Sequence, residues 1–184
     1  NMSVMAPKNL WELRAMLEFA MDYNRPLAIR YPRGEAYRGL REFREPIVYG
    51  KGEILYEEED IALLAVGSMV STGEHIREKL KAEGFACTLA NGRFVKPFDR
   101  ELVDRLALRH RVIVTLEENV ARGGFGQPVT AYIHEHYPHR KVLNIALPDA
   151  YVEHGNVSVL REGLGIDSDS IIREMRNMGL LGRG

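Results

Sequence analysis

The sequence predicts an α/β fold, a mostly parallel sheet flanked by helices, with a smaller αβ piece ahead of it. Four apolar runs, at 61–66, 85–90, 112–116 and 142–147, are nearly continuous in hydrophobicity, as strands covered on both faces are. Helical patterns separate them, and this alternation builds parallel sheets through crossover connections. With 184 residues, 45% hydrophobic and 28% charged, the chain has the composition of an ordinary globular domain. Wholesale disorder is excluded, and so is a large multidomain enzyme.

Each element has its own signal. Leu10, Leu13, Leu17, Ala20 and Met21 recur at helical spacing, and Asn9 followed by Glu12 has the form of a capping box, so a helix is expected over about 8–23. Asn24-Arg25-Pro26 breaks it, and 27–31 reads as a short buried strand that ends at Pro32-Arg33-Gly34. The polar, aperiodic stretch 35–46 reads as a linker, which divides the chain into 1–46 and 47–184. Residues 47–56 are extended and interrupted by glycine, and Glu57-Glu58-Glu59-Asp60 reads as a solvated turn. Val70, Gly73, Ile76 and Leu80 mark a helix stopped by Gly84; Leu102, Val103 and Leu106 mark one capped by Asp99. Pro128 at a first-turn position opens a helix carrying Val129, Ile133 and Tyr137. A last helix carries Ile171, Ile172, Met175 and Met178, capped from Asp167 or Ser168 and closed by Gly179.

Charge and cysteine content narrow the function. Lysine and arginine number 25 against 26 acids, a net charge of −1, so no general attraction to nucleic acid or anionic lipid is expected. Neither a membrane-spanning run nor a signal peptide is legible. The single cysteine, Cys87, lies in an apolar run and reads as a small buried thiol, so a cytoplasmic, reducing location is expected. The start at Asn1, leading straight into an apolar stretch, reads as that of a fragment or processed product.

Open parallel sheets bind ligands beyond the carboxyl ends of their strands. After the 112–116 strand come Glu117-Glu118-Asn119 and then Gly123-Gly124-Phe125-Gly126 at a helix start. That loop could offer N–H groups to an anion or serve close backbone packing; it lacks the spacing of a P-loop or dinucleotide fingerprint. Adjacent strand residues point apart, so Glu117 and Glu118 read as capping or interface residues rather than an acid–base pair. His134, His136 and His139 are badly spaced on a helix for a shared metal, and no metal ligand is assigned. His154 stands in a loop after the last strand, where a functional contact and a turn hydrogen bond are both open. Arg30 and Arg33, around the turn after the 27–31 strand, offer guanidinium forks suited to a phosphate or carboxylate; the bland alternative is a salt bridge.

Several strings together resemble the carboxyl-terminal part of the 1-deoxy-D-xylulose-5-phosphate synthase family of transketolase-like, thiamine diphosphate enzymes. They are Asn1-Met2-Ser3-Val4-Met5-Ala6-Pro7-Lys8, Ile29-Arg30-Tyr31-Pro32-Arg33-Gly34, Gly50-Lys51-Gly52-Glu53, Arg93-Phe94-Val95-Lys96-Pro97, Glu117-Glu118-Asn119-Val120, Gly123-Gly124-Phe125-Gly126 and Leu147-Pro148-Asp149. The resemblance implies condensation of pyruvate with glyceraldehyde 3-phosphate, with loss of carbon dioxide, in a homodimeric enzyme that uses thiamine diphosphate and Mg2+. It implies that 1–46 is the last piece of the middle, pyrimidine-binding domain plus a linker and that 47–184 is the transketolase C-terminal domain. The cofactor-binding motif and the activating glutamate of the family lie outside this chain, so no catalytic, cofactor or metal residue is assigned and the chain alone is expected to be inactive. Arg33 aligns with the arginine that binds the substrate phosphate; Arg30 is read as structural. The alternative is a stand-alone domain docking on a separate catalytic subunit, as in 2-oxo acid dehydrogenase β subunits. Without the rest of its sheet, 1–46 is expected to be protease-sensitive unless it docks or pairs.

Overall fold

Two sheets organise the molecule in the computed structural model, which describes residues 1–182. The chain begins β1 (Ser3–Met5), α1 (Leu10–Asp22) and β2 (Leu27–Ile29). It continues through β3 (Glu53–Tyr56), β4 (Asp60–Ala65), α2 (Met69–Ala82), β5 (Cys87–Asn91), β6 (Phe94–Lys96), α3 (Arg100–Arg109), β7 (His110–Val120), α4 (Gly126–His136), β8 (Lys141–Leu147), α5 (Val157–Gly163) and α6 (Ser168–Asn177). The five-stranded sheet has the order β3-β5-β4-β7-β8, and the three-stranded sheet the order β2-β1-β6. Among the described residues no helix is long and apolar enough to cross a membrane.

In the large sheet β5, β4, β7 and β8 are parallel, and β3 closes the edge antiparallel to β5. Successive strand residues face opposite sides. Leu63 and Val114 join a core under α2 and α6 with Ile76, Ile171 and Met175. Leu64 and Ile113 join a second core under α3 and α4 with Leu106, Val129 and Ile133. Because both faces are covered, the central strands are apolar throughout, as their sequence requires.

The expected caps form where a side chain can reach a free N–H. Asn9 accepts from Glu12 N–H at 2.9 Å, Asp99 from Leu102 N–H at 3.1 Å and Asp167 from the N–H groups of Asp169 and Ser170. The strand expected over 27–31 is regular only to Ile29, and of the extended 47–56 only Glu53–Tyr56 pairs. Two strands and a helix had no reading in the sequence. β1 and β6 are three residues each, too short to show alternation, and α5 buries no residue, so it has no apolar stripe.

The acidic turn is not simply solvated. Glu57 pairs with Arg105 and Arg109, and Glu58 pairs with Arg77 and accepts from Cys87 N–H. These basic side chains come from α2 and α3, and only the folded chain brings them to the turn.

Residues 1–46 dock on the remainder of the chain. β1 is parallel to β2 but antiparallel to β6, so the later part of the chain supplies the third strand of the small sheet. The 35–46 stretch forms no helix or strand, yet it is fastened. Leu40 is buried in the larger core, Tyr37 Oη donates to Glu74 at 2.5 Å, and Asn9 Nδ2 donates to the carbonyls of Gly39 and Leu40. Arg93 donates to the carbonyls of Glu45 and Pro46. Beneath this strap lies a buried ionic cluster. Lys8 Nζ contacts Glu12 at 3.0 Å and Glu53 at 2.6 Å, and Arg93 contacts the same two carboxylates at 2.8 and 3.0 Å. All four side chains are 1–3% exposed. A carboxylate completing a capping box returns to the cap's own N–H; that of Glu12 instead accepts from Lys8 N–H and turns into this cluster.

Candidate functional site

The two sheets meet at a cleft of about 270 Å³, lined by Ala6, Arg30, Tyr31, Pro32, Val66, Gly67, Ser68 and Glu118. Its walls are the segments that follow β1, β2 and β4 and the far end of β7, the carboxyl ends where an open parallel sheet presents its functional groups. The two parts of the chain thus build it jointly. Larger cavities exist, such as the groove along β3 of about 670 Å³, but in that groove Lys51, Arg93 and Arg105 all have carboxylate partners.

Arg30 and Arg33, candidates from the sequence, part company in the structure. The Arg30 N–H donates to Met5 O at 2.8 Å, extending the β1–β2 pairing, and its side chain is half-buried in the cleft wall. Arg33 is exposed on the turn after Pro32, ahead of Gly34, whose φ of 117° lies in a region that glycine alone tolerates well.

The two adjacent glutamates have separate roles. Glu117 is fully buried and accepts from Phe125 N–H at 2.7 Å and from Gly126 N–H at 2.8 Å. The glycine loop at the start of α4 therefore wraps an anion, but that anion is the protein's own carboxylate. A Cβ on Gly124 would lie 2.5 Å from both Glu117 oxygens, so the loop can close only on glycine there. Burial raises the Glu117 carboxyl above its usual range, and the two N–H groups, with the charge of Arg30, offset part of that rise. Glu118 points into the cleft. Its carboxylate accepts from Ser68 Oγ at 2.5 Å and from Arg161 Nη2 and Nε at 2.7 and 3.3 Å. Burial pushes this group up, but Arg161 and Ser68, helped by the charge of Arg30, outweigh it and hold Glu118 below the usual carboxylate range.

Other candidates lie elsewhere. Cys87 is buried and its thiol is pushed up to about 12 by burial, so it carries no nucleophile at neutral pH. His136 stacks on Tyr132 with Nδ1 at 2.9 Å from the Tyr132 carbonyl, and among the described residues no group of three His, Cys, Asp or Glu is placed to hold a metal. His154 is exposed in the irregular 148–156 segment. Ser68 and Arg161 were not foreseen. Neither belongs to a recognisable motif, and both earn their place through Glu118.

A doubly covered five-stranded α/β sheet whose cleft lies at the strand ends, completed by a preceding αβ piece, defines the C-terminal domain of a transketolase-type enzyme. Residues 50–171 match the family model of the transketolase C-terminal domain, and the chain belongs to that family. Within it, the similarity is to 1-deoxy-D-xylulose-5-phosphate synthases. The chain is 48% identical to that of Lachnoclostridium phytofermentans over 93% of its own length and 28% of the relative's. It is 43% identical to 1-deoxy-D-xylulose-5-phosphate synthase 1 of Geobacter metallireducens over 96% of its length, again 28% of the relative's. The chain thus spans little more than a quarter of these curated relatives. Among solved structures, a split gene transketolase, described as an inactive β4 tetramer, superposes with a TM-score of 0.88 at 27% identity, covering all of this chain and 59% of the other.

Proposed function

We propose that this chain is the C-terminal part of a 1-deoxy-D-xylulose-5-phosphate synthase. The complete enzyme joins pyruvate to glyceraldehyde 3-phosphate with loss of carbon dioxide, as a cytoplasmic homodimer using thiamine diphosphate and Mg2+. The division into a pyrimidine-domain remnant, 1–46, and a C-terminal domain, 47–184, belongs to this reading. The observation that carries it is the cleft at the strand ends, which Arg30, Tyr31 and Pro32 line beside Glu118, with Arg33 exposed on the turn just beyond.

The residues present do not fit the cofactor. The N–H groups of Phe125 and Gly126, which a glycine loop at a helix start could offer an anion, are taken by Glu117, and Glu118 is committed to Ser68 and Arg161. The cofactor's chemistry is therefore assigned to the remainder of the enzyme, and the contribution of this chain is to bind and orient substrate. Calorimetry of the isolated chain with thiamine diphosphate and Mg2+ is expected to show no binding in the micromolar range, about −8 kcal/mol. Saturable micromolar binding would contradict the assignment.

Arg33, exposed on the turn between Pro32 and Gly34, is the proposed grip on the substrate phosphate. In the full-length synthase Arg33→Ala is expected to remove ~1.5–3 kcal/mol of binding, raising KM for glyceraldehyde 3-phosphate on the order of 10-fold to 100-fold. Pyruvate, which has no phosphate, should be affected far less, and Arg33→Lys should recover part of the loss. An unchanged KM together with lower thermal stability would identify a structural salt bridge instead.

The split gene transketolase chain favours a second reading, in which this chain is a separately encoded subunit that docks on a catalytic partner. The reading frame upstream of Asn1 decides between them: a long continuation selects the single polypeptide, a nearby start codon the subunit.

A further inference from the structure

We propose that Glu118 is a positioning residue: through Arg161 it ties α5 to the wall of the cleft, and so sets the affinity of the cleft for substrate. The proposal rests on the reading of the cleft as substrate-binding.

Three observations converge on this carboxylate. First, α5 buries none of its seven residues, and Val157 and Val159 are 57% and 64% exposed. The nine residues before it, 148–156, form neither helix nor strand. An element with so little buried area is held by few contacts and opens readily, so each anchor matters. Leu164 packs against the core just beyond its end, while Arg161, within it, reaches Glu118 by a two-pronged guanidinium contact of 2.7 and 3.3 Å.

Second, Ser68 stands at the N-cap of α2 but makes no side-chain cap hydrogen bond. Its hydroxyl is donated to Glu118 at 2.5 Å. The Ser68 backbone is itself helical, with φ −57° and ψ −26°, rather than the extended form from which a cap serine reaches the first-turn N–H groups, so its hydroxyl has no cap to serve and is a second donor to Glu118. Third, Glu118 lines the cleft together with Arg30. One side chain therefore ties the start of α2 and the exposed α5 to the wall of the site. An ordinary surface ion pair would need neither the second donor nor the place in the cleft.

The test uses Glu118→Gln, which keeps the shape, Arg161→Ala, on the outer helix, and the double variant. Hydrogen exchange on this chain is expected to show the 157–163 amides opening about 3–10-fold faster than wild type in either single variant and by the same factor in the double, as for two halves of one contact. In the full-length synthase KM for glyceraldehyde 3-phosphate should rise by a similar factor, on the order of 3-fold to 10-fold, while kcat falls less. Unchanged exchange, or single effects that multiply in the double variant, would overturn the tether. Faster exchange with unchanged KM would overturn the positioning role and leave a structural ion pair. An Arg30→Ala enzyme with normal KM, by contrast, would count against the cleft reading itself, since Arg30 lines the cleft.

Discussion

Glu12→Ala is expected to cost about 3–5 kcal/mol of stability, because it leaves two buried cations sharing one carboxylate. Glu12 takes Lys8 Nζ at 3.0 Å, Arg93 Nε at 2.8 Å and Asn91 Nδ2 at 2.9 and 3.0 Å. With its carboxylate gone, Lys8 and Arg93 share Glu53 as their remaining charged partner, and neither can reach water at 1–3% exposure. The loss should fall on one joint. Glu12 is on α1, whereas Asn91 and Arg93 are 79 and 81 residues further along, so the variant frees 1–46 from the larger body before it loosens the five-stranded sheet. Urea unfolding should show the drop, and limited proteolysis should cut first within 35–46 in the variant but not in the wild type. A loss below ~1 kcal/mol would mean that the β1–β6 pairing and the strap suffice without the cluster.

Glu117→Ala should be of comparable severity, about 2–6 kcal/mol, since it strips the acceptor from two buried N–H groups at ~1–3 kcal/mol each. Chemical denaturation measures it directly, and a cost under 1 kcal/mol would show that Phe125 and Gly126 find other acceptors. Glu117→Gln adds a pH signature. The native carboxyl titrates above its unfolded value, so its contribution is fully present below the usual 4.5 and is lost as pH rises through the raised native value. The stability gap between wild type and Glu117→Gln should therefore be widest in acid and narrow towards neutrality. Glu118, held low, works in the opposite direction: its contribution is present above 4.5 and is lost as pH falls through its native value. The curve of wild type minus Glu117→Gln isolates the first effect, because Glu118 is common to both.

Much of the α/β layout was legible because it depends on local order. The four apolar runs, the caps at Asn9, Asp99 and Asp167 and the stop at Gly84 report hydrophobic period and turn chemistry, which neighbours in sequence carry between them. The family strings from Asn1 to Asp149 were legible for the same reason. So was a capping role for Glu117, which stands just ahead of a glycine loop at a helix start and accepts from two of its N–H groups.

Tertiary structure alone decided which charges meet. The sequence by itself determined that an amphipathic helix follows Asn9, that the apolar runs stack as covered strands and that a glycine loop opens α4. It could not determine that Glu12 turns away from its own helix cap towards Arg93, that the glycine loop encloses Glu117 rather than a ligand, or that Ser68 and Arg161 converge on Glu118. The pairings of Glu12 and Glu118 join residues tens of positions apart, and those of Glu117 cross eight and nine positions of strand end and loop. A charged side chain carries no periodic signal of its partner, and its pairing is set by the packing that removes it from water.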